Sequence, residues 1–362
     1  MSSYWGENIR ISIFGQSHSA GIGVVIDRLP SGLSIDKDAL AAFLRRRAPG
    51  QSRLTTPRAE ADEVEFISGL HDGKTCGAPL CAVIKNTNTR PSDYSQFSDI
   101  PRPGHADYTS AVKYKGYQDP SGGGHYSGRL TAPLCIAGGI CLQLLEAEGI
   151  YIGSHIAKIA GVADDSFNPV TLSREDFMSL TDTPLRVINK TAGEAMVREI
   201  ESAREDGDSV GGIVECGVVG LPAGIGEHMF GGLENRISSV VFGIPAVRGI
   251  EFGAGFAAAE MRGSQNNDVF VKYGDGIHTA TNNHGGILGG ISSGMPLIFR
   301  VAIKPTPSIS RTQTTLNLRT GEMCELSVKG RHDPCILPRA LPPVEAAAAL
   351  AIYDALLDAK KA

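Results

Sequence analysis

A chain of 362 residues, 42% hydrophobic and 20% charged, has room for one large domain or two ordinary ones and the composition of a globular protein with ample core. Its net charge of −5 gives no electrostatic reason to expect nucleic acid or an anionic membrane as partner. The N-terminus, Met-Ser-Ser-Tyr-Trp-Gly-Glu-Asn, lacks the basic and apolar regions of a secretory signal, and seven cysteines without a C-x-x-C pair read as free thiols of a reducing cytoplasm.

Along the chain, β-branched apolar runs predict strands at 9–14 and 23–26. Asp36 is then the N-cap of a helix over 37–47, with Leu40, Phe43, Leu44 and Arg47 at helical spacing and three arginines in its last turn. An apolar helix follows at 132–148; the longest apolar stretch, 132–145, holds two glycines and is too short to cross a bilayer. Further on the pattern predicts a helix at 193–205, a strand at 212–219, a helix at 233–241 and a strand at 296–303. The last helix, 343–360, opens on Pro-Pro-Val-Glu, a helix start, and runs through alanines. The strand-and-corner segments Val24-Val-Ile-Asp-Arg-Leu-Pro-Ser-Gly32 and Cys216-Gly-Val-Val-Gly-Leu-Pro-Ala-Gly224 echo each other, and each precedes a helical pattern. With no linker between them, they predict a single domain over 1–362 with an internal pseudo-repeat.

Chemistry concentrates in loops. Arg102-Pro-Gly-His-Ala-Asp107 and Gly330-Arg-His-Asp-Pro-Cys335 each crowd a cation, an imidazole and a carboxylate between proline and glycine. Arginine suits anionic oxygens and histidine moves protons near neutral pH, so two such loops point to a polar site, whereas one alone would as readily pin loops together. Arg45, Arg46, Arg47, Arg53 and Arg58 surround a Pro-Gly turn; charge runs are usually solvated faces, but one that stays basic across a turn suits a multiply charged anion. Gly122-Gly-Gly-His-Tyr-Ser-Gly-Arg-Leu-Thr131 leads into the apolar helix with the ingredients of a phosphate cradle, though without the spacing of a P-loop. A second glycine-rich stretch, 282–294, is either a flat backbone surface for a planar ligand or a bulged strand. Lys304-Pro-Thr-Pro-Ser308 sets a lysine and hydroxyls at the end of a strand.

In this order the segments closely resemble one family, chorismate synthase. They are Phe14-Gly-Gln-Ser-His-Ser19, Gly23-Val-Val-Ile-Asp27, Arg46-Arg-Ala-Pro-Gly-Gln-Ser-Arg53, Arg102-Pro-Gly-His-Ala-Asp-Tyr-Thr109, Gly285-Gly-Ile-Leu-Gly-Gly-Ile-Ser-Ser-Gly294, Lys304-Pro-Thr-Pro-Ser-Ile309 and Gly330-Arg-His-Asp-Pro-Cys335. The resemblance implies an α/β (α+β) fold of two similar halves, each a mainly antiparallel sheet plus helices, the helices packed between the sheets. It implies elimination of phosphate from 5-enolpyruvylshikimate 3-phosphate with reduced FMN as cofactor, a cytoplasmic homotetramer and no metal. Whether NADPH reduces the flavin stays open. By resemblance His18 donates a proton to the leaving phosphate, His105 protonates the reduced flavin and Asp333 helps remove the substrate proton. Arg47, Arg53 and Arg129 hold the substrate's anionic groups. The FMN-contacting positions are His125, Tyr126, Ser127, Pro245, Ala246, Gly289, Lys304, Pro305, Thr306, Pro307, Ser308 and Arg331. The chain departs from the family pattern at Gln16 for Glu, Ser19 for Gly, His125 for Arg, Tyr126 for Ser and Leu130 for Glu. Two other readings are a paralogue that binds flavin or phosphate without catalysis and a metal-dependent hydrolase built on His18, His105, Asp107, His332 and Asp333.

Overall fold

In the computed structural model, residues 3–50, 54–55, 62–87, 96–180, 185–274, 276–328 and 333–361 are described. Ten strands make two five-stranded antiparallel sheets. Tyr4–Trp5 (β1), Arg10–Gly15 (β2), Gly21–Asp27 (β3), Glu65–Ser68 (β4) and Leu80–Lys85 (β5) form the first, in the order β1-β2-β3-β5-β4. Tyr151–Ile159 (β6), Val162–Ala163 (β7), Gly212–Val219 (β8), Val247–Phe252 (β9) and Leu297–Ile303 (β10) form the second, in the order β9-β10-β8-β6-β7. The helices that matter for the site are Lys37–Arg47 (α1), Asp107–Lys113 (α2), Thr131–Ala147 (α3), Leu233–Val241 (α4) and Leu337–Ala359 (α5). α3 packs on β3 and β5, α5 on β6 and β8, and the two helices pack on each other. The sandwich of helices between antiparallel sheets is the expected fold.

Local signals explain most elements. Asp36 caps α1 by accepting the backbone N–H groups of Asp38 and Ala39 at 3.0 and 2.9 Å. Both Leu-Pro corners end on a left-handed glycine, Gly32 (φ 82°) and Gly224 (φ 97°). The final helix departs from expectation: it starts at Leu337, and Pro342 and Pro343 lie inside it. Buried Leu337, Ala340 and Leu341 hold the early turn, and their packing outweighs the backbone hydrogen bonds that the prolines cannot donate. From Val344 to Ile352 α5 is buried on every side, as a middle-layer helix must be, with Glu345 its one charged residue there. The 20-residue helical stretch Gly128–Ala147 and α5 both have the length and hydropathy of a membrane span, which corrects the shorter sequence count for 132–145; both are largely buried in the middle layer. A Cβ on Gly138 would come within 2.2 Å of the Ala346 Cβ, so glycine is what lets α3 approach α5 this closely.

Polar pins hold the layers. Arg46 forks onto Glu345 of α5 through two 2.7 Å hydrogen bonds, and Ser154 of β6 donates to the same carboxylate at 2.7 Å. The neighbouring His155 points to the other face of the sheet, where its ring bonds Asp164 at 3.0 Å and Glu215 at 2.9 Å. Burial opposes charge on this imidazole, but the hydrogen bonds and charges of the two carboxylates outweigh it and raise its pKa. With the folded pKa above the unfolded one, the stabilisation is complete below about pH 6.5 and is lost as pH rises through the folded value. The thermal midpoint of the native chain is therefore expected to fall more steeply above about pH 6.5 than that of His155→Gln. Parallel slopes would mean that His155 is uncharged in the fold.

Candidate active site

One end of the sandwich opens into a cleft of about 690 Å³, a volume suited to small ligands. The N-terminal ends of α3 and α5 reach its wall, bringing the positive ends of two helix dipoles, and the C-terminal end of α1 brings Arg47. Successive residues of a helix turn by about 100°, so the three arginines of α1 part company. Arg45 faces solvent, Arg46 pairs with Glu345 and Arg47 is buried at the cleft.

Arg47 and Arg129 share one carboxylate. Asp62 accepts from Arg47 Nη1 at 2.7 Å and from Arg129 Nη1, while Arg47 Nε donates to Thr131 Oγ1 at 3.1 Å. Arg129 Nε donates to Asn86 Oδ1 at 3.2 Å. Burial and the nearby guanidinium of Arg339 push the Arg47 pKa down. Arg339 donates to the Arg47 carbonyl at 3.1 Å and to Asp333 Oδ2 at 2.6 Å, so it ties the two together.

The two histidines lie against one strip of glycine. Gly122, Gly123 and Gly124 all have positive φ. A Cβ on Gly122 would fall 2.3 Å from the His18 ring, and one on Gly123 would fall 3.0 Å from His105 Nε2. Only bare backbone can lie across both imidazoles. His18 Nδ1 lies 3.1 Å from Ser17 Oγ. Its turn is tied by the Ser19 hydroxyl, which donates to the Gly21 carbonyl, and by Asn86, which donates to the Gln16 and Ser19 carbonyls. His105 Nδ1 is 2.5 Å from Asp107 Oδ1, and Arg102 grips the same carboxylate through Nε and Nη2 at 2.8 Å each. Burial alone would raise the Asp107 pKa, but hydrogen bonds from Arg102 and His105 hold it well below the usual carboxylate range. A permanently ionised Asp107 fixes the proton on Nδ1 and leaves Nε2 for chemistry.

The loop after β10 forms a further part of the wall. Arg102 Nη1 donates to Ser308 Oγ at 3.1 Å, and Lys304 Nζ donates to the Gly104 carbonyl, so this wall is bolted to the His105 loop. Thr306 Oγ1 is buried without a hydrogen-bond partner among the described residues. Among the described residues six cationic side chains line the cleft, Arg47, Arg102, Arg129, Arg248, Lys304 and Arg339. Among the same residues three carboxylates compensate them, Asp62, Asp107 and Asp333. A site this cationic in a chain of net charge −5 is built for anions.

Most of the residues expected from the sequence meet here. Arg47, His105, His125, Tyr126, Ser127, Arg129, Pro245, Ala246, Lys304, Thr306, Pro307, Ser308 and Asp333 line the cleft, and His18 lies behind Gly122. Arg53, Arg331 and His332 lie outside the described residues. Gly289 sits exposed at the tip of a hairpin joining two-residue strands at 287–288 and 291–292, and Pro305 turns toward Gly211; neither lines the cleft. His125 is anchored by both ring nitrogens, at 2.8 Å to the Gly15 carbonyl and 2.8 Å to Ser3 Oγ, and so pins the glycine loop to the end of β2. Burial and the neighbouring Tyr114 hydroxyl push the Tyr126 phenol up to about 12. Sequence reasoning missed Asp62, Arg248 and Arg339. Arg339 lies in the first turn of a helix that the sequence starts only at 343, so its place was not legible, and for Asp62 nothing local marks it.

The sequence model of the chorismate synthase family matches residues 9–357. The chain belongs to the chorismate synthase family. It is 44% identical over 359 residues to the chorismate synthase of Dehalococcoides mccartyi strain BAV1, covering 99% of this chain and 98% of that one. It is also 44% identical over 354 residues to that of Methanosarcina mazei, covering 98% and 95%. A crystal structure of a chorismate synthase superposes with a TM-score of 0.76 at 27% identity, covering 98% of this chain and 93% of that one. Within the family's pattern, the structure gives two of this chain's departures a local role: Ser19 ties its turn and His125 anchors its loop.

Proposed function

We propose that the chain is a lyase that eliminates phosphate from 5-enolpyruvylshikimate 3-phosphate to give chorismate, with reduced FMN as cofactor, working in the cytoplasm as a homotetramer. The observation that carries this reading is the pair of imidazoles laid against one glycine strip beside a cleft where cations outnumber carboxylates. The substrate brings two carboxylates and a phosphate, and FMN brings a second phosphate. Burying that much negative charge calls for unpaired cations.

The residues present fit the flavin. Thr306 Oγ1 is a buried hydroxyl with no partner among the described residues, two positions from a lysine and on a cleft of adequate size. Lys304, Thr306 and Ser308 would hold FMN with Pro245 and Ala246, and Tyr126 would offer it an aromatic face. Bound and reduced, FMN supplies electron density toward the C–O bond that releases phosphate. Arg47 and Arg129, aligned by Asp62, would bind the substrate's anionic groups. His18 would give a proton to the departing phosphate. His105 Nε2 would hold a proton at the flavin side, and Asp333, aligned by Arg339, would take part in removing the ring proton.

Self-association is supported by exposed apolar side chains away from the core, among them Phe230, Phe256, Phe270, Tyr273 and Ile277. The alanine-rich final helix, apolar enough on sequence grounds to be buried, is buried inside the monomer. Under anaerobic conditions, chorismate is expected to form with chemically reduced FMN and not with oxidised FMN. Equal rates with both flavins would refute this reading.

A further inference from the structure

The glycine-rich stretch 282–294 carries a histidine with no role so far, His284, which does not line the cleft. The hairpin of strands 287–288 and 291–292 folds this stretch back on itself, and the Ser293 backbone N–H donates to the Gly286 carbonyl at 2.9 Å. That pairing sets Ser293 beside His284, with the hydroxyl oxygen 3.0 Å from Nε2. The other ring nitrogen, Nδ1, bonds Asp268. Asp268 is itself fixed. It accepts from the Thr281 hydroxyl at 2.5 Å and from the backbone N–H groups of Asn283 and His284 at 2.9 Å each. Burial alone would raise its pKa, but these donors and the imidazole hold it below the usual carboxylate range. An ionised carboxylate only accepts, so it keeps the proton on Nδ1 and leaves Nε2 to accept from the Ser293 hydroxyl. Carboxylate, imidazole and hydroxyl thus have the sequence of hydrogen bonds that activates a serine.

Access and surroundings suit the chemistry. The side chains of Asp268 and His284 are nearly buried, whereas Ser293 is half-buried and is followed by exposed Gly294, whose bare backbone leaves an approach to Oγ. The neighbouring Ser292 hydroxyl is already committed, donating to the Pro222 carbonyl at 2.6 Å and accepting the Ile225 N–H at 2.9 Å. The Met295 backbone N–H points at Ser293 Oγ from 3.4 Å, a loose contact that keeps a donor beside the place where negative charge develops when Oγ attacks a carbonyl. We propose that Ser293 is a nucleophile, activated by His284 and positioned through Asp268, and that it forms a second site which takes the acyl group of small activated esters. Oγ bonds the ester's carbonyl carbon as its proton passes to His284 Nε2, and the alcohol leaves with that proton. Water then attacks the acyl carbon, gives a proton to Nε2, and Ser293 Oγ departs with it, so ester and water become acid and alcohol. None of the three residues lines the cleft, so the inference stands independently of the proposed elimination.

The test is labelling of the full chain with a fluorophosphonate, mapped by peptide mass, together with hydrolysis of p-nitrophenyl acetate, in the native chain, Ser293→Ala and His284→Gln. The label joins Ser293 Oγ to phosphorus and releases fluoride, while the hydroxyl proton passes to His284 Nε2. The native chain is expected to carry the label at Ser293. His284→Gln should slow labelling there roughly 10²- to 10⁴-fold, and Ser293→Ala should lose ester hydrolysis, with circular dichroism confirming that both variants are folded. An unlabelled Ser293 in the native chain overturns the inference whatever the variants do, and leaves His284 as a pin for the hairpin. Equal labelling rates in the native chain and His284→Gln overturn it as well. So does a rate at Ser293 that survives unfolding in urea, because activation needs the three side chains held together.

Discussion

Replacing His105 or His18 by alanine is expected to lower kcat by about 10²- to 10⁴-fold while leaving substrate affinity nearly unchanged, the signature of a group that moves a proton in the chemical step. The geometry supplies the reason. Asp107, gripped by Arg102 and held ionised, accepts the hydrogen bond of His105 Nδ1–H, and Nε2 is turned to the glycine strip. His18 lies against the neighbouring glycine of the same strip, beside Ser17. Neither ring packs in the apolar core, so truncation should cost little stability, and steady-state kinetics will report the chemistry cleanly. A variant with native kcat would make that histidine a structural pin between loops.

The second large effect is expected at Asp62. It lies among buried groups with two guanidinium groups on its two oxygens. Asp62→Ala would leave Arg47 and Arg129 facing each other without the charge that holds them, and removing one partner of a buried ion pair costs about 3–5 kcal/mol. The denaturant midpoint should fall accordingly. Because the stranded cations form an anion site, molar inorganic phosphate should restore part of the loss by binding the folded state. Asp62→Asn, which keeps the shape and one acceptor, should lose less. An unchanged midpoint in Asp62→Ala would show that the two arginines find other partners and that Asp62 does not organise the wall.

Arg46 illustrates how far a sequence pattern reaches. Three arginines at the end of a helix pattern read as one basic cluster, yet the helix sends one to solvent, one to Glu345 and one to the cleft. The glycine string at 122–124 was legible as a backbone that approaches something closely. What it approaches, two imidazoles from loops more than eighty residues apart, was not.

Local chemistry, read along the chain, was enough for α1 with its Asp36 cap, for α4, for β8 and for the loop character of the Arg-His-Asp segments, because capping, periodicity and proline-glycine punctuation act over a few residues. Family membership was legible too, since it rests on the order of short motifs. Tertiary structure alone decided the rest. It carried the last helix through its two prolines, because buried Leu337 and Leu341 outweigh the lost backbone bonds. It placed Asp62 between Arg47 and Arg129, and Arg339 between Asp333 and the Arg47 carbonyl. Three of those pairs are 15, 67 and 292 residues apart in sequence, with nothing local to specify the partner; only Arg339 and Asp333, 6 apart, are near neighbours. Charges that compensate each other across such separations are chosen by the folded cleft, where an unpaired buried ion is too costly to keep.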